Sequence, residues 1–364
     1  MNESLTNRQI AFIVYGAIVG YGVLGLPKIV AESAGTGGWF SLFIATVIAI
    51  VITYIITYLG YVFEDKTLFE YSQILVGKPI TYIFIALYIV YFFLVFTMIA
   101  RMSSEVTKLT ILAKTPVWAI TLLYLVVVYY AVIKGIKVVA RICELYGLFV
   151  IIGALILQLL IFTQGRIINL RPYFVMEDIV QYVKASMKLI IPFLGMEVIT
   201  FVPLRKENNE AILKYTTLMI AFIGLSYIAV FEANISVIGI DDIIHYKDTI
   251  TFTVRSIDVK YLEFFSRLDS VLLLVWNMAV FTTIMMFAYG TTFYMSKFLK
   301  SHSFKLVAFI VLATSFVISQ VPKTTDQVEK LIDYAGYLSI IAAVVIPIIL
   351  LIITKVKKYD KRVQ

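Results

Sequence analysis

Apolar residues fill the chain in long blocks separated by short polar links. A hydrocarbon core about 30 Å thick needs roughly twenty such residues as helix. Blocks of that length recur about ten times and predict spans near 9–33, 39–63, 80–102, 116–134, 141–164, 182–203, 214–239, 269–296, 304–321 and 335–356. The fourth and ninth are short. The sixth carries Lys184 and Lys188 near its start, where long side chains snorkel toward the interface. The longest connection, about 240–268, is polar, and its stretch YLEFFSRL is amphipathic enough for an interfacial helix.

Two of these blocks contain residues that weaken helices. The first holds VGYGVLGLPKIVAESAG, with Gly20, Gly22, Gly25 and Pro27 close together. The sixth holds KLIIPFLGMEVITFVP, with Pro192, Gly195 and Pro203. Dividing the chain into 9–164 and 182–356 gives five spans to each half. An odd number per half forces the halves into opposite orientation, the arrangement of inverted repeats. The breakers then open each half at the same position. The expected architecture is an all-α polytopic membrane protein, one transmembrane domain over 1–364, with a basic tail at 357–364.

Composition agrees and removes several classes of function. The chain is 61% hydrophobic and 15% charged, with a mean hydropathy of +0.94, so no stretch reads as a soluble catalytic domain. The first block is too long for a signal-peptide core. One cysteine, Cys143, admits no intrachain disulfide, and His245 and His302 lie far apart. No metal, cofactor, enzymatic or nucleic-acid-binding role is expected. The net charge of +8 fits loops facing anionic lipid. With both termini cytoplasmic, the inner segments hold about seventeen Lys and Arg against about eleven outside. The tail KVKKYDKRVQ, residues 134–141, 205–214 and 297–305 supply the bias.

In a bilayer each unpaired backbone group costs several kcal/mol, so irregular backbone persists where it lines protein or a polar cavity. A break near Gly20–Gly25 makes Pro27 an early residue of a second half-helix, where its missing N–H matters little. The N–H groups of Gly22 to Leu26 then face an anion such as an amino-acid carboxylate. In the sixth span, carbonyls near Pro192–Leu194 can accept from an ammonium group. Glu197 can cap the half-helix that follows Gly195 or contact that ammonium. The competing reading is close helix packing, because Gly16 and Gly20 have the spacing of a packing motif.

Other polar residues within spans fall into pairs. Arg101 and Glu105 are four apart at the end of the third span, and Arg141 and Glu144 three apart at the start of the fifth, so each pair can bond to itself. The alternative expectation is that Arg141 or Glu144 occupies an inner coupling-cation position. Glu232 and Asn234 can hydrogen-bond between helices or mark a polar path. Thr282 and Thr283 follow Trp276 and Asn277 in the eighth span and can set side-chain specificity. Among Tyr88, Tyr91, Phe92 and Phe93, chiefly core residues, Tyr91 is the candidate pocket wall.

GVLGLP followed by AESAG, Thr115–Pro116, KGIKVVARICEL, NLRPYF, PFLGMEVITFVPLRK and FFSRLDSVLLLVWNM together resemble the B subunits of endospore germinant receptors, the GerAB-like spore germination permeases. That family is related to the amino acid–polyamine–organocation transporters, the APC superfamily of LeuT-like fold, with a 5+5 inverted repeat and broken helices 1 and 6. The resemblance implies a nutrient sensor in the inner membrane of a spore-forming bacterium, binding a germinant such as an amino acid beside an A subunit and a lipoprotein C subunit. It places ligand contacts at Gly20, Gly22, Val23, Leu24 and Gly25, and at Phe193, Leu194, Gly195 and Glu197. The rival expectation is a proton-coupled amino acid permease of the same fold.

Overall fold

The computed structural model describes residues 5–20, 22–23, 25–245, 250, 253 and 268–359, with 268–270 described by backbone alone. Leu24, most of the YLEFFSRL stretch and the end of the basic tail lie outside the described residues. Every regular element among the described residues is helical. In chain order these are α1 (Asn7–Ile18), α2 (Leu26–Ala34), α3 (Gly38–Val62), α4 (Leu68–Val76), α5 (Lys78–Thr110), α6 (Val117–Ile133), α7 (Ile136–Thr163), α8 (Ile179–Lys188), α9 (Ile212–Ile238), α10 (Ile240–Ile243), α11 (Leu268–Phe298), α12 (Phe304–Ser319), α13 (Thr325–Ile340) and α14 (Ile346–Val356).

Six helical stretches among the described residues are long and apolar enough to cross a membrane: Leu26–Val62, Lys78–Thr110, Ile136–Thr163, Ile212–Ile238, Val271–Phe298 and Thr325–Val356. Two shorter apolar helices, α6 and α12, coincide with the fourth and ninth expected spans. The first and sixth expected spans are not continuous helices. The first is α1 and α2 with a break between them, and the sixth is α8 followed by 3₁₀ turns at Ile191–Phe193 and Met196–Phe201.

The membrane setting is visible on α3. Leu42, Ala45, Ala49, Ile52 and Ile56 are buried, whereas Phe43, Val47, Val51 and Tyr54 are exposed, although both faces are apolar. A helix apolar all round with one outward stripe belongs in lipid. Small residues bring the helices together: Gly224 of α9 lies against Thr46 of α3, where a methyl group would meet Thr46 Oγ1 at 2.2 Å. Two apolar cores flank the breaks. One surrounds Tyr88, Phe92, Phe96 and Tyr294 on α5 and α11, and the other surrounds Tyr15, Leu26, Phe193 and Tyr227.

The last span contains a third irregularity. Residues Ile341–Val345 form a π turn between α13 and α14, with Pro347 just beyond it. Proline has no N–H to give the carbonyl five residues earlier, that of Ala342. The Tyr88 hydroxyl supplies the missing donor at 2.6 Å.

Candidate functional site

Thr6 and Gln9 start α1 as a reciprocal capping box, and the helix runs to Ile18 before the chain unwinds. Helix ends leave carbonyls without intrahelical donors. Here the Gly16 carbonyl accepts from Thr283 Oγ1 at 2.8 Å and Thr282 Oγ1 at 3.2 Å. Both threonines thus close the first half-helix on α11. A methyl group at Gly20 would sit 2.1 Å from Thr283 Oγ1 and 2.8 Å from the Ala279 carbonyl oxygen. Gly20 is a packing position.

Gly22 and Gly25 differ from it. The nearest atom to a methyl group at Gly22 is Pro192 Cα at 3.7 Å, and at Gly25 it is Ile29 Cδ1 at 4.0 Å. Both are ordinary van der Waals distances, so a methyl group would fit at either position without displacing a neighbour. Gly25 precedes α2 with no side-chain cap, and Pro27 stands in the first turn as expected. The Leu26 N–H donates to the Val23 carbonyl at 3.3 Å.

The sixth span comes within backbone contact of the first. Gly195 has φ +124°, a conformation other residues rarely adopt, and a methyl group there would lie 3.0 Å from the Ala17 carbonyl carbon. Gly195 N–H donates to Glu197 Oε2 at 2.9 Å, and the Tyr91 hydroxyl on α5 donates to Glu197 Oε1 at 2.6 Å. Glu197 is fully buried. It holds the turn and ties it to α5. Thr200 Oγ1 donates to the Glu197 carbonyl at 2.5 Å and accepts from Tyr294 of α11 at 2.7 Å. Phe193 is buried against Tyr227, whose hydroxyl donates to the Pro192 carbonyl at 3.1 Å, so this expected acceptor already has a donor. Leu194 is partly exposed beside it.

A cavity of about 70 Å³ lies beside the break, lined by Val19 and Val23 of the unwound segment and by Val230, Asn234, Gln158 and Trp276, among others. The Asn234 side chain is occupied, donating to the Val230 carbonyl at 2.7 Å and accepting from Thr253 at 2.6 Å. Glu232, one residue from the buried Ala233 on α9, has a buried Oε1 with no hydrogen-bond partner.

The remaining pairs are sorted by the fold. Arg101 Nε bonds Glu105 Oε1 at 2.9 Å, as their spacing allows, and both also reach the α12–α13 connection: Arg101 Nη1 donates to Gln320 at 3.0 Å and Thr325 to Glu105 Oε2 at 2.8 Å. Glu144 pairs with Arg8 of α1 at 2.8 Å rather than with Arg141, which is exposed. Among the described residues, no group of three or more His, Cys, Asp or Glu side chains converges as a metal site. Sequence reasoning missed Ala17, Tyr227 and Thr200. Only Ala17 left a signal, a small residue one position from a glycine.

Comparison with known proteins gives the family and the fold. A family model described as spore germination protein matches residues 4–328. The chain belongs to the spore germination protein family. Spore germination protein A2 of Bacillus subtilis (strain 168) is 30% identical over 95% of this chain and 94% of its own. Spore germination protein YndE of the same strain is 26% identical over 99% of each chain. Spore germination protein GerLB of Bacillus cereus is 24% identical over 98% of this chain and 96% of its own. Among solved structures, a Na⁺-coupled sialic acid symporter in a substrate-bound outward-open state superposes with a TM-score of 0.63 at 10% identity, covering 94% of this chain and 79% of that one. The fold is that of a LeuT-like transporter.

Proposed function

We propose that this chain is the nutrient-sensing subunit of a spore germination receptor. It takes a small germinant, an amino acid, at the paired helix breaks and signals to partner subunits in the inner membrane, with both termini cytoplasmic. One observation carries the reading: two interrupted helices meet at Ala17 and Gly195, and beside that contact Gly22 and Gly25 would each accept a methyl group without a clash. Backbone without helical partners is expensive in lipid, and a ligand carboxylate on the first turn of α2 would satisfy it. The cavity beside Val23 would take the ligand's apolar part. Residues 9–164 and 182–356 would be the inverted repeats. A ligand bound more tightly in one arrangement of the half-helices shifts the population toward it, and a neighbouring subunit reads the shift. By the family resemblance those neighbours are an A subunit and a lipoprotein C subunit.

The second reading is a proton-coupled amino acid permease. The unpartnered Oε1 of Glu232 favours it, because a carboxyl group inside a membrane is a candidate proton carrier.

Gentle purification of the tagged chain from native spore membranes tests both. Stoichiometric recovery of a larger membrane subunit and a lipoprotein is the expected result. Recovery alone, from membranes known to contain those partners, would favour the permease, and amino acid uptake into liposomes would then decide.

A further inference from the structure

A second cavity is remote from the helix breaks. It measures about 490 Å³ and lies where the start of α5 meets the end of α11. Phe69, Tyr82, Phe293 and Phe304 supply aromatic walls, and Lys78, Lys297 and Lys300 supply charge. Lys297 bonds Glu70 at 2.8 Å. Among the described residues, neither Lys78 nor Lys300 has an ion-pair partner. Both are exposed, so the cavity presents to solvent two ammonium groups that have no ion-pair partner among the described residues. The positive end of a long helix adds to them, since α5 begins at Lys78 with no side-chain cap.

Lys300 is also held against its own preference. It has φ +51°, in the left-handed region where glycine normally ends a helix. The bond from Ser301 N–H back to the Ser296 carbonyl, at 3.0 Å, closes the corresponding motif. Fold alone favours glycine at 300.

We propose that this cavity binds a phosphate group, held between Lys78 and Lys300, with the aromatic walls contacting the part that carries it. The 297–305 segment belongs to the side that the basic excess assigns to the cytoplasm, where anionic phospholipid is available. An anionic lipid headgroup and free phosphate share this chemistry, and the test separates them.

The intact chain would be purified and its thermal unfolding followed in nanodiscs of phosphatidylcholine, in nanodiscs containing phosphatidylglycerol, and in phosphatidylcholine with added inorganic phosphate. Lys78→Gln and Lys300→Gly would be tested singly and together. Lys300→Gly removes the ammonium group with its side chain at a position whose backbone suits glycine, so each variant is compared with its own Tm in phosphatidylcholine. Phosphatidylglycerol should raise the wild-type Tm, and the double variant should lose most of that rise, with apparent affinity about tenfold weaker or more. A rise with inorganic phosphate alone that the variant loses supports the site and names free phosphate as its ligand. An equal rise in wild type and double variant, or none in either medium, overturns the proposal. Loss of a co-purifying protein subunit in the variant, with the lipid response unchanged, would assign the cavity to an acidic protein segment and overturn it as well.

Discussion

The Tyr91 hydroxyl donates to Glu197 Oε1 at 2.6 Å, joining an unbroken helix to the turn of a broken one. Glu197 is fully buried and Tyr91 is 1% exposed, so nothing else readily replaces that bond. Tyr91→Phe leaves a buried carboxyl oxygen without its donor and should cost about 2 kcal/mol. Thermal unfolding in detergent measures the loss. Glu197→Ala combined with Tyr91→Phe should cost less than the sum of the single changes, since each removes the same contact. Additive losses would mean the two residues act separately.

Gly195 and Gly25 should answer substitution differently. Gly195→Ala forces a side chain into a left-handed conformation and into contact with the Ala17 backbone, so the variant should unfold at clearly lower temperature. Gly25→Ala meets nothing closer than 4.0 Å and should fold normally. Gly25→Leu should also remain folded while abolishing the germinant response. A normal response in that variant, read as spore germination with partners present, would rule out the break as the ligand site.

Arg101 and Glu105 form more than a local ion pair, because Gln320 and Thr325 complete it across the bundle. Their side chains are 12% and 14% exposed. Arg101→Gln should therefore destabilise by about 2 kcal/mol, well above an exposed pair's contribution. Limited proteolysis of the 320–325 connection should show faster cleavage in the variant. Unchanged cleavage would leave the pair a local one.

Glu70, on α4 outside the spans, gives a pH dependence. Burial pushes its carboxyl group up, but Lys297 and Thr67 outweigh burial and hold it below its ordinary value of 4.5. A folded pKa below the unfolded one stabilises the protein fully above the unfolded value. That contribution disappears as pH falls through the folded value. Tm should thus decline on acidification below about pH 4.5, and Glu70→Gln should flatten that part of the curve. The same slope in both proteins would remove Glu70 as its source.

The all-helical membrane fold was legible because lipid demands long apolar segments and tolerates few exceptions. The breaks were legible for the same reason: Gly22, Gly25, Pro192 and Gly195 are conspicuous in sequences meant for oil. Pro27 took its expected place at the start of α2. Glu197, two residues after Gly195, accepts from the Gly195 N–H within the turn.

Partnership across the bundle was not legible. Spacing permits Arg141 and Glu144 to pair, yet Glu144 bonds Arg8, because α1 passes beside α7. Gly20 and Gly25 look alike in sequence, but only Gly20 faces Thr283. Thr282 and Thr283 serve the Gly16 carbonyl because α1 ends against them. The sequence by itself determined that the chain is a helical membrane protein and where two of its helices must fail, since both follow from local backbone chemistry in a medium without water. Tertiary structure decided which glycine is packed, which carbonyl is capped and which charge is paired. Those depend on the neighbouring helix, and no spacing within one helix specifies its neighbour.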